Sequence, residues 1–182
     1  MQSEPKSGGF LYWLRVVAIG RRPKRTIIRL ITLVVVCFVV FRFILIPIRV
    51  SGISMEPTFH DGNLNLVNRL AYVRGQPQRG DVAGLRFTTN AGTSVKQILL
   101  KRLVGLPGDA ISFANGHVCV NGEPEEEPYL VNPSSWNIPP TTLGSNEYYY
   151  VGDNRSMDPD DHLHGVALRS QILGRVLLKG HP

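Results

Sequence analysis

The chain has 182 residues with 20 Lys and Arg against 14 Asp and Glu, a formal net charge of +6. Dividing it at Val50 separates the charge: residues 1–50 carry nine Lys or Arg against the single acid Glu4, and residues 51–182 carry eleven against thirteen. The larger part is therefore slightly acidic and has no basic patch interleaved with aromatics, which excludes a nucleic-acid partner.

Residues 1–26 form a basic arm. Lys6, Arg15, Arg21, Arg22, Lys24, Arg25 and Arg29 place this end in the cytoplasm by the positive-inside rule. Phe10 to Ile19, apolar around Arg15 with Tyr12 and Trp13, reads as an interfacial helix or an ordered extension. Residues 27–50, IIRLITLVVVCFVVFRFILIPIRV, are predicted to be one transmembrane helix, long enough at about 1.5 Å per residue for a hydrocarbon core of about 30 Å. Leu30 to Phe41 is the uninterrupted apolar run, with Arg29 and Arg42 free to snorkel toward opposite ends. A buried helix apolar on every face would need a larger helical domain around it. A cleaved signal peptide would end its short apolar region in a small-residue site, whereas this one runs into Pro47-Ile48-Arg49-Val50. Everything beyond Val50 is thus expected on the outer side.

Residues 51–182 are a normal size for one domain, and their pattern is mainly β. Short apolar or alternating runs at 64–70, 82–87, 95–104, 111–113, 118–120, 147–151 and 172–178 are separated by Gly, Pro, Asn and Asp. Asn115-Gly116 marks a two-residue hairpin turn and Asn121-Gly122 closes the next strand. Glu123 to Tyr129 and Asn132 to Pro140 read as surface loops. Cys37 falls in the span and Cys119 in the hairpin, so the domain is expected to fold without a disulfide between them.

Ser54 lies in Ser51-Gly52-Ile53-Ser54-Met55-Glu56-Pro57-Thr58, just past the apolar segment. A serine hydroxyl is a weak nucleophile at neutral pH and needs a base. His60, His162 and His164 are available, yet Lys101 is the stronger candidate. Flanked by Ile98-Leu99-Leu100 and Leu103-Val104, its amine can enter apolar surroundings where desolvation disfavours the ammonium. A neutral lysine can take the Ser54 proton and later return it to a leaving amine. Taken singly, Ser54 also reads as a turn residue and Lys101-Arg102 as solvated strand-end charges. Three patterns in order behind an apolar span select the nucleophile and base: Gly52-x-Ser54-Met55-x-Pro57-Thr58, Lys101-Arg102-x-x-Gly105-x-Pro107-Gly108-Asp109, and Gly152-Asp153-Asn154-Arg155.

From the span to the C-terminus the chain resembles the type I signal peptidases, membrane-anchored serine proteases that remove signal peptides from exported proteins. The resemblance implies a largely antiparallel β domain shared with self-cleaving repressors, with Ser54 as nucleophile and Lys101 as general base. It implies partners too: preproteins with small residues before the cut, and a lipid bilayer beside an exposed apolar surface. No cofactor is expected, and the protein is expected to be a monomer in a bacterial plasma membrane or an internal membrane of a photosynthetic organism or organelle.

Ser54 N–H is one expected oxyanion donor, and Met55 is a candidate substrate contact. Gly52 stands where some family members add a serine hydroxyl, and Ser51 is one residue too early, which leaves the second donor unassigned. Arg102, Asp153, Asn154, Arg155 and Asp160 read as site scaffold. Asp158 occupies the place of the family's lysine-orienting serine, and an ionised carboxylate there would hold Lys101 charged. The favoured expectation is that Asp158 turns away, aided by Pro159, while Ser156 or a water orients Lys101. A protonated Asp158 and an inactive protein are the alternatives. His162 replaces the family's arginine and is expected to pair with Asp160 as a pH-sensitive substitute. Asp158, Asp160, Asp161, His162 and His164 also offer metal ligands, but a crowded acidic loop reads first as a solvated one, and no metal site is expected. The competing functions are a catalytically silent protein that binds exported segments and a Ser-Lys self-cleaving protein, the latter disfavoured because no DNA-binding domain precedes the span.

Overall fold

The computed structural model describes residues 23–91, 93–130 and 134–177; the proposed interfacial segment at Phe10 to Ile19 lies outside them. The chain divides into two units, Met1–Arg42 and Phe43–Pro182. In the first, helix α1 spans Pro23–Val39 and passes into a π turn at Val40–Ile44. Proline suits the first helical position because its missing N–H is unpaired there in any case. Lys24–Ile44 is long and apolar enough to cross a membrane, and it is not buried against protein.

The helix differs from the predicted span of 27–50 at both ends. It begins at Pro23, and residues Leu45–Arg49 form strand β1 instead of its last turn. Pro47 accounts for the change. It removes an intrahelical hydrogen bond and clashes with the preceding turn, but is tolerated in an edge strand. β1 pairs antiparallel with β2, Leu64–Asn68, in the register Ile46↔Val67 and Ile48↔Asn65.

The second unit is mainly antiparallel β, as the sequence pattern predicts. Five further strands complete a seven-stranded sheet: β3 at Val82–Ala91, β4 at Thr93–Gly105, β9 at Glu147–Val151, β10 at Gly165–Leu168 and β11 at Ile172–Val176, in the order β1-β2-β11-β3-β4-β9-β10. A four-stranded sheet, in the order β7-β6-β5-β8, comprises β5 at Ala110–Ala114, β6 at His117–Val120, β7 at Glu123–Pro124 and β8 at Ile138–Thr142. Asn115 and Gly116, at φ 49° and 82°, make the β5–β6 hairpin turn, as two positive φ angles in succession require. Each of the seven predicted runs holds a strand, although the first ends at Asn68, where a 3-10 turn at Arg69–Tyr72 begins, and the last ends at Val176. The regions read as surface loops are corrected in part: β7 and β8 lie within or across them, and Trp136 is buried. β8 escaped notice because Pro139 and Pro140 argue against a strand, yet it occupies the edge of its sheet.

β9 shows how the two sheets share a core. Tyr148 and Tyr150 pack with Leu85 and Leu103 on one face, while Tyr149 and Val151 pack with Ile111, Phe113 and Trp136 on the other. A strand covered on both faces reads as a continuous apolar run, which is what Tyr-Tyr-Tyr-Val does. A third cluster of Val50, Met55, Phe59 and Leu100 lies under the segment that carries Ser54. Because Trp136 is 3% exposed, Trp136→Ala should destabilise the domain by about 3–5 kcal/mol in denaturant unfolding. A loss under about 0.5 kcal/mol would restore the surface-loop reading.

Candidate active site

Ser54 sits in the connection between β1 and β2. There Glu56 N–H donates to the Ile53 carbonyl (3.0 Å) and Phe59 N–H to the Met55 carbonyl (2.9 Å). Met55 and Phe59, 1% and 3% exposed, hold the segment to the core. From the other side Asn154 clamps it: its backbone N–H donates to the Ser54 carbonyl (3.1 Å) and its side-chain amide to the Ile53 carbonyl (3.0 Å). Gly52, at φ 92°, donates its N–H to Asp61 Oδ1 (2.8 Å) and does not line the cleft, so it offers no free donor there. Ser51 does line it.

Strand alternation sends Lys101 and Arg102 of β4 to opposite faces. Lys101 is 2% exposed and faces a cleft of about 190 Å³ that Ser54, Ser51, Met55, Val50 and Leu100 also line. Burial pushes the lysine down from its ordinary 10.5 to about 8, against an opposing pull from Asp153. Asp153 is itself engaged. Arg102 grips it with Nε on Oδ1 (2.8 Å) and Nη2 on Oδ2 (2.6 Å), and Thr58 Oγ1 donates to Oδ2 (2.6 Å). The Arg102 guanidinium also stacks over the Tyr129 ring at 3.7 Å and donates to the Gly80 carbonyl. Removing one partner of such a buried pair leaves an uncompensated charge, so Arg102 and Asp153 fix the position of the Gly152–Arg155 turn. Arg155 extends the network: its Nε donates to the Gly152 carbonyl (2.9 Å) and its Nη2 to buried Glu127 (2.6 Å). Glu127 belongs to the region read as a surface loop.

The acidic loop divides. Asp161 N–H donates to the Asp158 carbonyl (3.1 Å) and His162 N–H to the Pro159 carbonyl (3.3 Å). This single turn leaves Asp158, Asp160 and Asp161 exposed and carries His162 inward. Asp158 lines a shallow depression with Trp136 and Arg155, and its Oδ1 accepts from Asp160 N–H (3.0 Å). It is not among the groups that shift Lys101. Ser156 does not face the lysine either; its hydroxyl donates to Asn154 Oδ1 (2.6 Å).

His162 corrects the expected pairing with Asp160. It is 2% exposed, and its Nε2 lies 3.5 Å from Lys101 Nζ and accepts the Gly152 N–H at 2.8 Å. Burial first, then the charges of Lys101 and Arg155, drive its pKa from 6.5 to about 3, so the ring is neutral and no pH switch near neutrality. Among the described residues no cluster of His, Cys, Asp and Glu has the geometry to hold a metal ion. A hydroxyl and a buried, largely desolvated amine in one cleft are equipped for acyl transfer by nucleophile and base.

The model of one family, signal peptidase, peptidase S26, matches residues 24–179. The chain belongs to this family. A signal peptidase I of Leptolyngbya laminosa is 30% identical over 132 residues, covering 71% of this chain; the chain spans 65% of that relative's length. A signal peptidase IB of Staphylococcus aureus (strain Mu50) is 30% identical over 171 residues, covering 81% of this chain and 84% of its own length. The crystal structure of a signal peptidase I from Enterococcus faecalis V583 is 24% identical, with a TM-score of 0.40 over 55% of this chain and 96% of that one. With its apolar N-terminal helix, this signal peptidase family member is a membrane-anchored protein.

Gly152 is the closest packing point of the site. A Cβ there would overlap the Ser54 carbonyl oxygen and come within 2.5 Å of His162 Nε2. Gly152→Ala should therefore cost about 1–3 kcal/mol in denaturant unfolding. An unchanged midpoint would mean that the Ser54 segment does not abut this turn.

Proposed function

We infer that this membrane-anchored signal peptidase cleaves the signal peptides of exported preproteins with Ser54 as nucleophile and Lys101 as general base. The observation that carries this reading is a lysine 2% exposed, with its pKa brought to about 8, in the same cleft as Ser54. In the first step Lys101 Nζ takes the Ser54 proton as Oγ attacks the scissile carbonyl. The tetrahedral intermediate then expels the mature chain's amine, which receives that proton from the Lys101 ammonium. Water, deprotonated by the again-neutral Lys101, attacks the acyl-enzyme; the Oγ–acyl bond breaks, the Lys101 ammonium returns the proton to Ser54 Oγ, and the signal peptide leaves with a new C-terminal carboxyl group. Ser54 N–H supplies one oxyanion donor, and Ser51, a residue that lines the cleft, is the candidate for the other.

The sheet offers a place for an extended substrate. β4 pairs with β3 along its length but with β9 only from Arg102 onward, so the other edge of Ile98–Lys101 is not taken by β9. Residues Ile48–Ser51 line the opposite wall of the cleft. An added strand gains main-chain hydrogen bonds there, with alternate side chains read by shallow apolar walls. Leu163, Ile53 and Ile98, all exposed, lie on or beside this cleft as apolar surface for a signal peptide or lipid. The excess of Lys and Arg before the helix orients the N-terminus to the cytoplasm and the β domain outward. A bacterial plasma membrane is the setting this reading favours.

Ser54→Ala and Lys101→Ala should each lower cleavage of a precursor with small residues before the cut by at least about a thousandfold. Equal processing by wild type and both variants sinks the assignment. Because the base must be neutral, kcat/KM should rise with pH through about 8, as the Lys101 ammonium loses its proton. Asp158→Ser should leave that midpoint in place, since Asp158 faces away; a downward shift would put its carboxylate beside the lysine.

A further inference from the structure

An amine that serves as a base must aim its lone pair at the serine, so its N–H bonds need acceptors elsewhere. The third sequence pattern leaves this role open, and the fold removes the obvious candidates. Asp158 accepts from Asp160 N–H, and Ser156 is turned to Asn154. Asp153 is occupied by Arg102 and Thr58. What lies within reach of Lys101 Nζ is Nε2 of His162, at 3.5 Å. The ring is held at Nε2, while its buried Nδ1 has no hydrogen-bond partner among the described residues. Gly152 N–H donates to Nε2, which fixes the lone pair on that atom and the proton on Nδ1, and Trp136 meets the ring edge-on at 5.0 Å.

Building on the Ser-Lys reading, we propose that His162 is the positioning residue for Lys101: Nε2 shares its one lone pair between the Gly152 N–H at 2.8 Å and an N–H of the amine at 3.5 Å, directs the amine's own lone pair toward Ser54, and stabilises the ammonium formed in the reaction. The contact is long for a neutral amine and shortens as positive charge develops on Nζ, as charge-assisted hydrogen bonds do. A neutral acceptor suits this task better than a carboxylate, which would hold the ammonium and remove the base. The charged and titratable groups around His162 are Lys101 from β4 and Arg155 and His164 from its own stretch, and all three oppose a proton on its ring. Around Lys101 the opposing group is Asp153, and Asp161 lines the same cleft. His162 therefore adds no titration of its own near neutrality.

The test uses the full-length protein in detergent micelles and a fluorogenic peptide whose signal ends in small residues. His162→Leu removes the acceptor, His162→Gln places an amide near Nε2, and His162→Asn is polar but too short. The leucine variant should lose kcat by roughly tenfold or more with KM within about twofold, and its kcat/KM rise should move to lower pH because the ammonium has lost an acceptor. Glutamine should restore kcat to within about threefold of wild type and asparagine should not. Wild-type kcat and pH midpoint in His162→Leu overturn the proposal. So does glutamine no better than asparagine when both unfold at the wild-type temperature. If the leucine variant does not fold, the glutamine–asparagine pair decides. Lys101→Ala, assayed alongside, separates the two readings. Wild-type cleavage by it removes the Ser-Lys reading and His162's role together, whereas an inactive Lys101→Ala beside a normal His162→Leu removes the positioning alone.

Discussion

To act as the proposed base, the Lys101 amine has to be kept out of water without being given a carboxylate of its own, and most of the site follows from that requirement. Lowering a lysine from 10.5 to about 8 corresponds to about 3 kcal/mol against the ammonium. A single unshielded acidic neighbour in a buried site would cancel it. Asp153 is near enough to act on the lysine, yet its oxygens are taken by the Arg102 fork and the Thr58 hydroxyl. Strand alternation is what makes this arrangement possible, since adjacent residues of β4 send Lys101, the proposed base, to the cleft and Arg102, which balances Asp153, to the other face.

Ser54, the proposed nucleophile, is placed by a different device. Ser54 is on an irregular segment, where mobility is the default, but that segment is closed on both sides. Beneath it Met55 and Phe59 enter an apolar cluster with Leu100, next to Lys101 in β4. Above it the Asn154 backbone and amide take the carbonyls of Ser54 and Ile53, and Gly152 allows the close approach. The turn at Gly152–Arg155 thus couples three parts of the site. It holds the serine segment through Asn154, balances Arg102 through Asp153, and fixes the His162 ring through Gly152 N–H. Arg155 anchors the turn from below through buried Glu127.

Much of this was legible in the sequence where local pattern and global packing agree. The strands with alternating or continuous apolar residues and the Asn-Gly turns carry their own geometry, and the ordered patterns around Ser54 and Lys101 point to one cleft. The failures have physical causes. The apolar run through Leu45–Arg49 looks the same whether it faces lipid or a sheet partner, and only Pro47 hinted at the change. Pro139 and Pro140 hid β8, and the acidic composition of Glu123–Glu127 hid an ion pair made only by the tertiary fold. Counting along the third pattern put Asp158 in the place of the lysine-orienting serine; the expected turning away of Asp158 holds, and it is the expected orienter Ser156 that fails, its hydroxyl being turned to Asn154. The turn formed by Asp161 N–H and His162 N–H on Asp158 and Pro159 rotates that carboxylate outward and brings in His162 instead. Pro159 was the one sequence signal for that rotation, and it said nothing about which side chain would arrive.

The most direct measurement of the account is the titration of Lys101 itself. Full-length Ser54→Ala protein carrying lysine labelled with 15N at Nζ can be followed by NMR, with Lys101→Met assigning the resonance. A Lys101 midpoint near 8 is the predicted result. A midpoint at the ordinary lysine value of 10.5 would contradict the account, because the amine would then be solvated or paired and unable to serve as the base.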